Sequence, residues 1–224
     1  DMVGNIEASG MVDADSVRVF SESPEDSPSR GLARYISRTA AMYVPAHQVT
    51  LVARYDRFGR GGDHTPFNQN GFAAVRITEA NENFSRQHTT LDTIEGVSLD
   101  YLLKNVKVNG ATLANLALAP PAPAVAGARG LDRNPTGYDA HLRWTASPGA
   151  SAYRVFWRQA WTPDWQHELN VGDATEFTLP GVSIDDHVFG VAAIGPGGNE
   201  SLVSVYVNPQ PAPAASPSRA GAEA

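Results

Sequence analysis

The chain has 224 residues, 42% of them hydrophobic and 18% charged, with a formal net charge of -7 and no cysteine. That length has room for one large domain or two small ones, each with a real core. The acidic balance argues against nucleic acid as a partner, and the missing cysteine excludes disulfide scaffolds, thiolate zinc sites and a cysteine nucleophile.

No apolar run is long enough to span a bilayer, and no signal peptide is expected within this sequence. The chain opens Asp1-Met2-Val3-Gly4-Asn5, which reads as the end of a strand. It is therefore expected to be part of a longer molecule. Val17 to Phe20 predicts a short strand. Ser27 followed by Pro28 predicts a helix start, a cap oxygen before a proline at the first helical position. Leu32, Tyr35, Ile36, Ala40 and Tyr43 follow at helical spacing, and Pro45 ends the run. Arg30, Arg34 and Arg38 form an i, i+4 stripe, expected to be a solvated face. Val49 to Ala53 and Ala73 to Ile77 predict buried parallel strands. A last helix is expected from Ser98, with Leu99, Leu102, Leu103, Val106, Leu113, Leu116 and Ala117 on its apolar side. Strands alternating with helices predict an α/β arrangement, a partial, mostly parallel sheet with helices on its faces.

Proline then marks a boundary. Residues 120–126 read as a Pro/Ala linker and 210–224 as a disordered Pro/Ala/Ser tail. Between them, 127–209 is all-β. Leu142 to Trp144, Tyr153 to Trp157, Phe177 to Leu179, Val188 to Ala193 and Val203 to Val207 alternate with Gly/Pro turns. About seven short strands at this spacing predict a β-sandwich.

The polar residues of the first segment cluster after its strands. Gly62-Asp63-His64-Thr65-Pro66-Phe67 follows the second strand. Glu79 stands just past the third, and Gln87-His88-Thr89-Thr90-Leu91-Asp92-Thr93 follows it. In open α/β sheets, ligands bind beyond the carboxyl ends of strands. Asp1, Asp63, Glu79, Asp92 and His88 are thus candidates for a metal or acid–base site.

These motifs, with Asp-Met-Val-Gly-Asn at the start and Gly71 to Glu79 between, resemble the co-catalytic dizinc aminopeptidases, metallopeptidase family twenty-eight, in order and approximate spacing. The resemblance covers residues 1–119 and implies the C-terminal half of the catalytic domain. It implies that Asp1 ligates one of two zinc ions and His88 the other, with Asp92, Asp63 and Glu79 in supporting roles. It places the remaining ligands and the general base before Asp1, so no catalytic residue is expected in this chain and the isolated chain is expected to be inactive. Gln87 stands where many relatives have a tyrosine. The activity implied is removal of N-terminal residues from peptide substrates. The localisation implied is a secreted or periplasmic bacterial enzyme.

The second segment resembles a fibronectin type III domain. Trp144, Tyr153-x-Val155-x-Trp157 and His187-x-Phe189-x-Val191-x-Ala193 carry the likeness. His187 stands where that family usually has its corner tyrosine and is expected to take over its structural role. Trp161 and Trp165 share a loop that is a candidate for binding carbohydrate or protein. The alternative function is accordingly a non-catalytic interaction module centred on the sandwich.

Overall fold

The structure is a computed structural model and describes residues 2–125, 131–133 and 137–207. Asp1 and the tail expected at 210–224 lie outside the described residues, as do the ends of the expected 127–209 domain.

Strands β1 (Glu7–Ala8) and β2 (Met11–Val12) form a hairpin turned by Ser9 and Gly10, both at positive φ. That pair of left-handed residues matches the twist of a tight hairpin. Then come β3 (Ser16–Phe20), helix α1 (Pro28–Tyr43), β4 (Gln48–Val52), helix α2 (His64–Gln69), β5 (Arg76–Glu79) and helix α3 (Leu99–Leu118). Helix α1 begins where the sequence predicts. Ser27 accepts the Arg30 N–H at 3.1 Å, and Pro28 fills the first turn. Ser98 caps α3 in the same way, accepting the Tyr101 N–H at 3.4 Å.

The sheet departs from expectation in two ways. Its order is β4-β3-β5, and β3 pairs in parallel with β4 but antiparallel with β5. The third strand also lies later than predicted, because Ala73 to Val75 lie before it in irregular chain. The helices do not flank the sheet. Val17, Val19 and Val49 share one core with Ala33, Ile36 and Ala40 of α1 and Val108 of α3, so both helices cover the same face.

Helix α3 is turned away from its predicted orientation. Its buried residues are Tyr101, Asn105, Val108 and Thr112. Leu99, Leu103, Val106 and Leu113, from the expected apolar side, are 50–69% exposed. The reason is polar. Tyr101 Oη donates to Ser16 O at 2.7 Å, and Asn105 Nδ2 donates to Val3 O at 3.0 Å. His47 Nε2 contacts Asn105 Oδ1 at 2.9 Å, and its ring meets Tyr101 edge-on. Buried donors and acceptors that would cost about 1–3 kcal/mol each if unpaired decide which face turns inward.

The second segment is the expected sandwich. One sheet runs β10 (Glu176–Ser183), β7 (Asp139–Arg143), β6 (Leu131–Arg133). The other runs β12 (Ser204–Val205), β11 (His187–Ile194), β8 (Ala152–Gln159), β9 (His167–Gly172). Trp144, Tyr153, Val155, Phe189 and Val191 fill the space between. His187 Nδ1 contacts Ser183 O at 3.0 Å, a bond back to the upstream backbone of the kind a corner tyrosine makes. The described part of the linker is docked. Thr145 N–H donates to Ala124 O at 2.9 Å, and Val125 packs on the sandwich core.

The arginine stripe of α1 is not solvated. The Arg34 side chain is 2% exposed, its Nε donates to Pro163 O at 2.6 Å, and its guanidinium pairs with Glu25 and lies 5.9 Å from the Trp165 ring. Arg158, 1% exposed, reaches Asp26 at 2.7 Å from the sandwich side. Arg38 bridges Glu168 at 2.8 Å and Glu200 at 3.0 Å. Tyr35 Oη donates to Glu200 O at 2.8 Å, and burial pushes that hydroxyl up to about 12, so it remains a donor. Arg30 turns instead to its own loop, pairing with Glu25 at 2.6 Å. The stripe is thus a charged seam that fastens the sandwich to α1.

This seam predicts joint unfolding. Arg34→Ala should cost about 3 kcal/mol, because it strands Pro163 O and weakens the hold on Asp26. Calorimetry should show one transition for the native chain and two for the variant. A variant that still melts in one unshifted transition would show that the halves are not coupled through Arg34.

Candidate functional site

The segment Met2 to Asn5 is threaded between the end of β5 and the start of α3. Glu79 N–H donates to Met2 O at 2.7 Å, and Ser98 N–H donates to Gly4 O at 2.9 Å. In return the buried Glu79 carboxylate accepts the Gly4 and Asn5 N–H groups through Oε2, at 3.2 and 2.9 Å. Burial pushes the Glu79 carboxyl above its usual range, and the Asn5 and Gly4 amides work against that rise.

Beside this segment lies a cavity of about 290 Å³, lined by Gly4, Glu79, Arg86, His88, Asp92 and neighbouring residues. His88 is exposed and sits at φ 58°, a left-handed conformation that few residues other than glycine adopt. The turn that holds it is closed by Thr89, whose N–H and Oγ1 both donate to Arg86 O, at 3.2 and 2.7 Å. Asp92 is exposed at the rim, and no hydrogen bond joins its carboxylate to the His88 ring among the described residues.

Glu79, His88 and Asp92 therefore line one cavity, and Met2 lines it too. Asp63 is not there. It stands at the first position before α2, exposed and without a side-chain capping bond. The next residue, His64, turns inward instead, with Nε2 3.1 Å from Tyr55 O, which leaves Asp63 facing out. Of the proposed binding loop, Trp161 is 69% exposed, whereas Trp165 packs against Phe156 and Arg34 in the seam.

Sequence reasoning missed a buried cluster of charges in the same half of the chain. Asp56 and Glu82 are buried with Arg76, which lies 3.2 Å from Asp56, and Arg57 pairs with both acids. Burial alone would raise the Asp56 carboxyl, but the Arg57 amide and the Arg76 guanidinium hold it below its usual range. Nothing in the spacing of these residues marks them, since they come from two loops and a strand. A larger cleft of about 1050 Å³, lined by Glu25, Asp26, Ile184, His187 and Tyr206, opens along the seam. It shares no residue with the His88 cavity.

No protein-family model matches the chain. The chain is similar to fungal proteins named probable zinc metalloproteases. One from Leptosphaeria maculans is 40% identical over 181 residues, covering 76% of this chain and 41% of that protein. One from Pyrenophora tritici-repentis is 38% identical, covering 79% of this chain and 38% of that protein. One from Phaeosphaeria nodorum is 31% identical over 90% of this chain and 46% of its own length. The chain thus spans about two fifths of the length of the curated relatives it matches first. Among solved structures, an Fn3-like protein from Clostridium thermocellum is 26% identical at a TM-score of 0.32, over 38% of this chain and 85% of that one.

Zinc is the ion those names imply. Carboxylate oxygen and imidazole nitrogen suit it. Among the described residues, however, no three His, Asp or Glu side chains come together as a metal-binding group. The described residues do not make a zinc site by themselves.

Glu79 should prove to be the anchor of the Met2–Asn5 segment. Glu79→Ala should expose the Gly4 and Asn5 amides to rapid hydrogen exchange and cost about 1–3 kcal/mol, whereas Glu79→Gln keeps an acceptor and keeps the protection. The folded carboxyl titrates above the unfolded one. Its effect on stability is therefore absent below the unfolded value of about 4.3 and becomes a loss as the pH rises through the folded one. Glu79→Gln should remove that loss, and an unchanged pH profile would contradict it.

Proposed function

We propose that this chain is the C-terminal part of a zinc-dependent exopeptidase of the aminopeptidase kind, with a fibronectin type III-like sandwich fastened to it. In this reading Asp1 and His88 each serve a metal ion. The other ligands and the general base belong to residues this chain does not carry. What supports it is the convergence of His88, Asp92, Glu79 and the Met2–Asn5 segment on one cavity, together with the similarity to the fungal zinc metalloproteases. Two metals, N-terminal specificity and export are part of the reading on the strength of the motif resemblance.

The chain's own residues have defined tasks here. Glu79 and Asn105 hold the Val3–Asn5 backbone. Thr89 closes the turn that presents His88. A preorganised backbone of this sort lets a ligand imidazole keep one position without spending binding energy to find it. The alternative, an interaction module centred on the sandwich, keeps Trp161 as a feature but loses Trp165 to the seam.

The isolated 224-residue chain should bind no zinc stoichiometrically and should not hydrolyse leucine p-nitroanilide. A longer, zinc-loaded form of the same protein should do both, and His88→Ala should lower its turnover at least about a hundredfold. Tight zinc binding or turnover by the isolated chain would overturn the division of the site. A longer form that is inactive with zinc would overturn the peptidase reading.

A further inference from the structure

The wall of the His88 cavity carries two guanidiniums, Arg60 and Arg86, to which the proposed metal chemistry gives no task. Arg86 is fixed at its backbone. Its N–H donates to Asn83 O at 3.2 Å, and its carbonyl takes both bonds from Thr89. Its guanidinium lies over Gly96, where a Cβ would come within 2.5 Å of Nη1. Glycine at that position makes the room. Arg60 stands with its Cζ 5.5 Å from the centre of the Phe84 ring.

Three neighbouring arginines have acid partners, whereas Arg54 donates to the Asp56 backbone carbonyl. Arg18 and Arg57 pair with Glu82, and Arg76 pairs with Asp56. Arg60 and Arg86 have none within 4.0 Å among the described residues. The acids around them are otherwise disposed. Glu79 is spent on the Gly4 and Asn5 amides, Asp92 is exposed at the rim, and Glu95 feels the charge of Arg86 without forming an ion pair with it. A further donor is unmatched. Gln87 lines the same cavity, and its Nε2 is buried with no acceptor among the described residues.

A guanidinium presents a planar fork of donors that matches a carboxylate with two parallel bonds. Two such forks, with no acid partner among the described residues, stand beside an amide donor with no acceptor among them and form a donor-rich surface that suits an anionic, acceptor-rich group. We propose that Arg86, assisted by Arg60, binds a carboxylate of the molecule that enters this cavity and so selects acidic substrates. That carboxylate belongs either to an acidic side chain or to a free carboxyl terminus close to the scissile bond. Calling the ligand a substrate rests on the peptidase reading, whereas the carboxylate site itself does not.

The test needs neither zinc nor turnover. Arginine side-chain Nε–Hε resonances of the 224-residue chain are followed by NMR during titration with three probes. Glutamic acid α-amide carries only a side-chain carboxylate, leucine only an α-carboxylate, and leucinamide neither. At least one carboxylate probe should bind about tenfold or more tightly than leucinamide, shifting the Arg86 resonance, and the better of the two identifies the source. Arg86→Ala should abolish the preference with the rest of the amide spectrum unchanged, and Arg86→Lys should keep part of it. Equal binding of leucinamide, no binding of either carboxylate, or a preference that survives Arg86→Ala would overturn the proposal. Carboxylate binding by a protein that hydrolyses no peptide in its longer zinc-loaded form would leave this site standing and remove the peptidase reading. Turnover without any carboxylate preference would do the reverse.

Discussion

A carboxylate buried at the end of a strand must find donors, and much of the site follows from where Glu79 finds them. It takes the amides of Gly4 and Asn5, some 75 residues earlier in the chain, while its own N–H takes Met2 O. This exchange ties the opening segment to β5. Asn105 and Ser98 of the α3 region then hold the same segment from the other side. The cavity beside His88 exists because these three pieces of chain are locked together. In a low-dielectric setting an unpaired Glu79 would be costly, so the lock is specific as well as stabilising.

The same logic operates at the seam between the α/β half and the sandwich. Arg34 and Arg158 are buried and Arg38 is half-buried, and each one finds carboxylates, backbone carbonyls or aromatic faces. Arg34 and Arg158 approach the Trp165 ring from the two halves, at 5.9 and 5.7 Å. Gly190 leaves space for that ring, since a Cβ there would meet it at 3.1 Å. Burying ion pairs of this sort gives little net stability, but breaking one is expensive, which favours a single docking arrangement. The sandwich is thereby a fixed part of the molecule's frame and not a module on a free tether.

How much of this was legible in the sequence depends on the range of the interaction. The start of α1 was readable because its cap is local, joining Ser27 to Arg30 only three positions on. The sandwich was readable because strand alternation and turn residues are local too. The arginine stripe was misread because helical spacing shows that Arg30, Arg34 and Arg38 share a side, not what covers it. Helix α3 was misread for a related reason. Its leucines mark an apolar side, yet Tyr101 and Asn105 have partners at Ser16 and Val3 that only the fold reveals. His88, Asp92 and Glu79 could be picked out as a group through their motifs. Arg60 and Arg86 could not, since what marks them is that no acid among the described residues pairs with them.

The central claim is that His88 faces the metal of a shared site next to the segment fixed by Glu79. Anomalous diffraction at the zinc edge, from crystals of a zinc-loaded protein that contains this chain, tests it most directly. The account predicts a zinc peak at about 2.0–2.1 Å from an imidazole nitrogen of His88 and a second zinc peak at about 2.0–2.2 Å from an Asp1 carboxylate oxygen. Zinc peaks bound elsewhere, with His88 left free in its cavity, would contradict it.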